Sequence, residues 1–267
     1  MSGNIEKMVT QLTAPVEYSL PIGDDSLPMN QFLGRKLTLR SRGTIHCIAC
    51  GTKTNKSFSQ GHCYRCHMRL ARCDMCIMKP ETCHYHLGTC REPDWGERNC
   101  MIPHYVYLAN SSGTKVGITR ASQVPTRWID QGASQALPIL KVQTRYQSGL
   151  LETALKRFVT DRTNWQAMLK GKVPEVDLTQ QRAQLLAHIG DDMQAVKAQC
   201  GEEAVEIVDE QVVDITYPVL HYPTKVRSFN LDKDPEASGI LQGIKGQYLM
   251  FDTGVINMRK YTGYALT

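Results

Sequence analysis

Four cysteines stand as Cys47-x2-Cys50-x12-Cys63-x2-Cys66. Two such knuckles can fold toward each other and set four thiolates around one tetrahedral ion, and zinc accepts that ligand set. Gly51 follows the first knuckle and Gly61 precedes the second, which suits tight turns. Disulfides are the other use of clustered cysteines, but residues 1–18 lack the apolar core of a secretory signal. An iron–sulfur cluster also takes four cysteines and stays open as a rival.

Nine of the ten cysteines fall between residues 47 and 100, leaving only Cys200 outside. The second group runs Cys73-x2-Cys76, then Cys83, His84, His86, Cys90 and Cys100. Cys73 and Cys76 read as one knuckle, completed by two of Cys83, His86, Cys90 and Cys100. A Cys83-x2-His86 pair would make a compact site, whereas Cys90 and Cys100 would close a longer, ribbon-like loop. Two closed four-ligand sites leave no position for water, so both zinc ions are expected to be structural. Residues 47–100 carry too few large apolar side chains to fold without them.

The net charge is only +5, but its distribution is uneven. Between Ser26 and Cys73 there is no Asp or Glu, while nine Lys and Arg residues fall in that stretch. Clustered cations release counterions from a polyanion, so Lys53, Lys56, Arg65, Arg69 and Arg72 are expected to contact phosphates of DNA or RNA. Phe58, His62, Tyr64 and His67 lie among them, as base-stacking rings would. A solvated basic face is the plain alternative. No run approaches the roughly 20 apolar residues that span a bilayer, so a cytoplasmic protein without a membrane partner is expected.

The stretch from Tyr105 to Arg120, YVYLANSSGTKVGITR, reads as a hairpin with a polar turn. Its two ends, Tyr105-Val-Tyr107 and Lys115-Val-Gly117, resemble the signature triplets of the GIY-YIG nuclease superfamily, notably its phage-type branch. The resemblance covers about residues 103–165. Arg127 in PTRWIDQG, Glu152 in GLLETALKRFV and Asn164 in RTNW follow in the order of that family's arginine, glutamate and asparagine. It implies phosphodiester hydrolysis: Tyr107, with Tyr105 as second choice, helping to activate water, Arg127 holding the phosphate, and Glu152 binding Mg²⁺ or Mn²⁺. Lys115 departs from the tyrosine that many members carry there; it keeps a donor for phosphate but is no phenol. Together with the two cysteine knuckle pairs, RWIDQGA and GIKGQY resemble an uncharacterised bacterial family of unknown function over nearly the whole chain.

These sites need elements to hold them. Residues 1–46 contain an alternating strand, GRKLTLRSRGTIHC, and read as an N-terminal β segment. Residues 47–100 form the two-site zinc-binding module, and 101–170 the GIY-YIG-like small α/β core. Residues 171–204 are a helical connection, with apolar spacing at Leu185, Leu186, Ile189, Met193 and Val196. Residues 205–267 are β-rich. The expected class is therefore α+β: a cysteine-rich zinc module, a GIY-YIG-like core and a β-rich terminal domain. The expected function is nucleic-acid binding, as a metal-dependent endonuclease or as a non-catalytic regulatory module, with an iron–sulfur protein as the third reading.

Overall fold

A computed structural model describes residues 2–267. The chain is α+β, with three antiparallel sheets among the described residues and helices grouped around one of them. The hairpin expected from the sequence forms: His104–Asn110 pairs in full register with Thr114–Arg120. The strand Gln135–Val142 lies against the other edge of His104–Asn110, which makes His104–Asn110 the middle strand. Val205–Ile207 and Val213–Asp214 extend the sheet beyond Gln135–Val142.

Alternate side chains of the middle strand enter different cores. Val106 and Leu108 pack with Leu137, Ile139, Leu151 and Leu155, under the helices Arg145–Leu155, Leu178–His188 and Gly190–Cys200. Tyr107 and Ala109 pack on the opposite face with Trp128, Ile129 and Ala136. A strand covered on both faces reads as a continuous apolar run rather than an alternating one, as YVYLAN does. The helix Arg145–Leu155 starts at Thr144, whose hydroxyl caps the Gln147 amide while the Gln147 side chain returns to the Thr144 amide. Leu151 and Leu155 are fully buried, each contributing about 1.5–3 kcal/mol by transfer from water. The segment 178–200 forms two helices meeting at Ile189, and Leu185, Ile189 and Val196 point into this core.

The two ends of the chain share one sheet. Lys36–His46 lies between Tyr264–Leu266 and Glu236–Lys245, and Gly3–Asn4 adds an edge strand beside Tyr264–Leu266. Their apolar residues join one core with Tyr107, Trp128 and Ile129, so the terminal β segments pack directly on the back of the hairpin sheet. From Cys47 to Pro103, by contrast, no residue belongs to any hydrophobic cluster. That stretch runs through short helical turns, including Ala71–Cys73, Met75–Ile77, Pro80–Thr82 and Tyr85–Leu87. Among the described residues, no helix is long and apolar enough to cross a membrane.

Candidate functional site

The first two knuckles close on each other. The sulfurs of Cys47, Cys50, Cys63 and Cys66 all lie within 4.8 Å of one another. Cys50 and Cys63 stand 3.8 Å apart, and a tetrahedron with metal–sulfur arms of about 2.3 Å has edges of about 3.8 Å. The cage therefore has the size for a single ion. Local backbone bonds set its shape: the Cys47 amide donates to Thr52 O at 2.9 Å and the Gly51 amide to Cys47 O at 2.8 Å. Cys63 then leads into the helix Tyr64–Arg69. The Thr52 hydroxyl lies 3.4 Å from Cys50 Sγ and draws that thiol down to about 6, whereas burial and the neighbouring cysteines push Cys66 up to about 12. No disulfide joins any of the ten cysteines.

Lys53, Lys56, Arg65, Arg69 and Arg72 are all exposed on or beside these knuckles. Phe58 stacks on His67 at 5.6 Å between centroids, and the Lys56 ammonium sits 5.3 Å over the Phe58 ring. Of the five cations, Arg72 borders the large cleft of the molecule. Four members of the second cysteine group, Cys76, Cys83, Cys90 and Cys100, border a small cavity of about 20 Å³. Cys73 borders the large cleft instead, and His86 rests against the Tyr146 ring at 5.8 Å.

The cleft has a volume of about 740 Å³. The hairpin sheet, the cysteine-rich stretch and the C-terminal segment each supply part of its wall. Seven cations border it (Lys7, Arg72, Arg120, Arg127, Arg145, Lys156 and Arg259) against four acids, Asp74, Asp130, Glu152 and Asp161. A basic concavity of this kind concentrates field on an anionic ligand. Three residues from separate stretches of the hairpin unit, Gly117, Arg127 and Glu152, meet in this wall.

Tyr107 and Lys115 lie beneath the wall, 0% and 3% exposed. The Tyr107 hydroxyl donates to Gln131 Oε1 at 3.1 Å, and Lys115 Nζ donates to the same oxygen. Gly117 is the cross-strand partner of Tyr107. A Cβ at 117 would stand 2.7 Å from Cζ and Oη of the tyrosine ring, so the glycine gives that ring its place on the strand.

Burial dominates the titration of these groups. It pushes Tyr107 up to about 12, against the downward pull of Arg127. It brings Lys115 down to about 7, and the Arg127 guanidinium adds to the effect. It also raises the Glu152 carboxyl, opposed by Lys156. Lys156 Nζ lies 3.1 Å from Glu152 and 3.1 Å from Asp161, an ammonium held between two carboxylates.

Two expected site residues fall elsewhere. Tyr105 is half-buried opposite Thr119 and does not border the cleft. Asn164 is exposed and caps the short helix Trp165–Leu169, its side chain accepting from the Ala167 amide at 3.1 Å. Asn164 therefore serves the backbone in this structure rather than the cleft.

Several cleft residues escaped the motif reading. Asp130 accepts from Lys7 Nζ at 2.7 Å and from Gln247 Nε2 at 2.8 Å. Gln247 also exchanges bonds with the Met8 backbone in both directions, at 2.8 and 2.9 Å. The stretches RWIDQGA and GIKGQY thus meet through Asp130 and Gln247, which ties both chain ends to the rim of the cleft. Their joint presence was the signal that could have found Asp130 and Gln131. Arg145, Lys156, Asp161 and Arg259 left no comparable mark.

A family model described as a protein of unknown function (DUF2797) matches residues 34–266. No curated protein and no solved structure matches the chain.

Proposed function

We propose that this chain, which belongs to the DUF2797 family of unknown function, binds nucleic acid in its basic cleft and hydrolyses phosphodiester bonds there. The reading follows its resemblance to the GIY-YIG nucleases. The observation that carries it is the meeting of Gly117, Arg127 and Glu152 in the wall of one cationic cleft, with Tyr107 and Lys115 directly beneath.

The chemistry assigns a part to each side chain. Arg127 is the planar, bidentate donor for a bound phosphate. Lys115, beneath that wall, donates with Tyr107 to the Gln131 side-chain oxygen and so fixes an amide that borders the cleft. Tyr107, up to about 12, stays protonated and holds Gln131 by its hydroxyl. A divalent ion of the Mg²⁺ type is commonly held by one or two carboxylates plus water and phosphate oxygens. Glu152 and Asp161 fit that requirement, since they already flank a cation, the Lys156 ammonium. Such an ion would supply charge stabilisation on the phosphate. For the four-cysteine cage, the 3.8 Å edge favours zinc over an iron–sulfur cluster, and a colourless protein would accord with that.

One observation favours a second, non-catalytic reading. Lys156 satisfies both carboxylates, so the cleft could serve as a phosphate platform without a divalent ion. A panel of single- and double-stranded DNA and RNA, incubated with Mg²⁺ or Mn²⁺, separates the two. The enzyme reading expects products that require the divalent ion. Binding without products under every condition would leave only the platform.

A further inference from the structure

Between Leu70 and Cys100 the chain has no hydrophobic core, yet it forms a wall of the cleft. Ile77, Met78 and Pro80 border that cleft together with Cys73 and Asp74. The same stretch packs closely on the helix Arg145–Leu155: a Cβ at Gly149 would stand 2.4 Å from the Glu81 amide nitrogen. Arg145 fastens the contact, its amide donating to Cys100 O at 2.8 Å and its guanidinium to Ile77 O at 2.7 Å. Something other than apolar burial must hold a segment so placed.

The cavity bordered by Cys76, Cys83, Cys90 and Cys100 supplies the means. Its volume of about 20 Å³ is close to that of one water-sized probe, room for a single ion. These cysteines are separated by six, six and nine residues, not by the two of a knuckle. Each separation contains a helical turn that brings the chain back: Pro80–Thr82, Tyr85–Leu87 and Pro93–Asn99. We propose that Cys76, Cys83, Cys90 and Cys100 hold a second structural zinc ion and that Cys73 is a free thiol facing the cleft.

Two further donors at the cavity, Asp74 and His84, have partners of their own, although His84 Nε2 makes no hydrogen bond. Asp74 Oδ2 takes Arg91 at 2.6 Å, and its Oδ1 caps the Met75 amide at 2.5 Å. His84 sets Nδ1 2.7 Å from the Thr89 hydroxyl and Nε2 3.6 Å from Asp74. The ligand atoms of Asp74, Cys76 and His84 lie within 4.8 Å of one another, which the four sulfurs do not. The cysteine side chains must therefore turn inward to close on an ion, and an Asp74–Cys76–His84 set is the competitor the test must address. Four thiolates make a closed site without open coordination, suited to structure rather than catalysis. The assignment stands apart from any activity of the cleft.

Differential alkylation of the intact zinc-loaded protein, mapped by peptide mass, tests this together with elemental analysis. The expected result is two zinc ions per chain. Cys73 and Cys200 should be labelled, while the other eight cysteines are protected until a chelator is added. Cys73→Ser and His84→Gln should keep both ions, and Cys83→Ser or Cys90→Ser should lose one. If those last variants do not fold, the labelling pattern of the parent protein still decides. One ion per chain would overturn the assignment, as would loss of an ion in Cys73→Ser or His84→Gln, or ready labelling of Cys76, Cys83, Cys90 and Cys100 in the zinc-loaded protein.

Discussion

Replacing Lys115 with methionine should stabilise the protein below about pH 7. A lysine in water keeps its proton to near 10.5, and burial with Arg127 close by brings Lys115 down to about 7. In that interval the unfolded chain binds more protons than the folded one, so the stability of the parent protein rises with pH between about 7 and 10.5. Below about 7 the cost of burying the ammonium is present in full, with a ceiling on the order of 4–5 kcal/mol at 1.36 kcal/mol per pH unit. The side chain is 3% exposed, so solvent screens little of this. Methionine fills a similar volume without charge. It gives up one bond to Gln131 Oε1, worth about 1.5–3 kcal/mol, but that oxygen still accepts from Tyr107. The net gain is about 2 kcal/mol, or roughly 5 °C in melting temperature for a chain of this size. Thermal unfolding in excess zinc should show that gap near pH 6 and show it closing by about pH 9. A Lys115→Met protein that melts lower than the parent at both pH values, or one with an unchanged gap, would refute the buried, depressed lysine.

Three further outcomes follow from other contacts. Cys66→Ser should release the ion of the four-cysteine cage and unfold the surrounding knuckles, read by elemental analysis and by protease sensitivity between residues 47 and 70, because no hydrophobic cluster reaches that segment. Gly149→Val should destabilise by about 1–3 kcal/mol or more in denaturant titration, since its side chain meets the Glu81 backbone and not a movable side chain. Nucleic-acid affinity should fall steeply with salt, and Arg72→Glu should weaken it on any sequence and reduce the log–log salt slope by about one or more; an unchanged slope would move the binding surface away from the cleft.

The first metal cage was legible because ligand chemistry leaves a two-residue knuckle few options: Cys47, Cys50, Cys63 and Cys66 close as their spacing requires. In the second group, spacers of six to nine residues allow many pairings, and only the helical turns within them decide which sulfurs share a cavity. Cys73 looked like the partner of Cys76 by spacing, yet it borders the large cleft. The hairpin and the helix bearing Glu152 were readable from apolar pattern and motif order. The close packing of that helix on the cysteine-rich stretch was not, because Gly149 meets the Glu81 backbone from a distant part of the sequence. The shared sheet of the two chain ends was equally hidden, since the pairing of Lys36–His46 with Glu236–Lys245 depends on contacts about 200 residues apart. Asn164, picked out by its place in the motif order, caps the short helix Trp165–Leu169, a role that residue type fills well.

The central claim is that the cleft cuts nucleic acid with a divalent ion held at Glu152, and one comparison reaches it directly. Single-turnover cleavage by the zinc-loaded parent protein and by Glu152→Gln should be measured side by side in Mg²⁺ or Mn²⁺, with affinity for the same oligonucleotide recorded in parallel. The account predicts ion-dependent cleavage by the parent, loss of at least about a hundredfold in the variant, and nearly equal affinity, because the substitution removes a ligand charge and keeps the side chain's size. Cleavage that survives Glu152→Gln, or a parent protein that binds and never cuts, would contradict it.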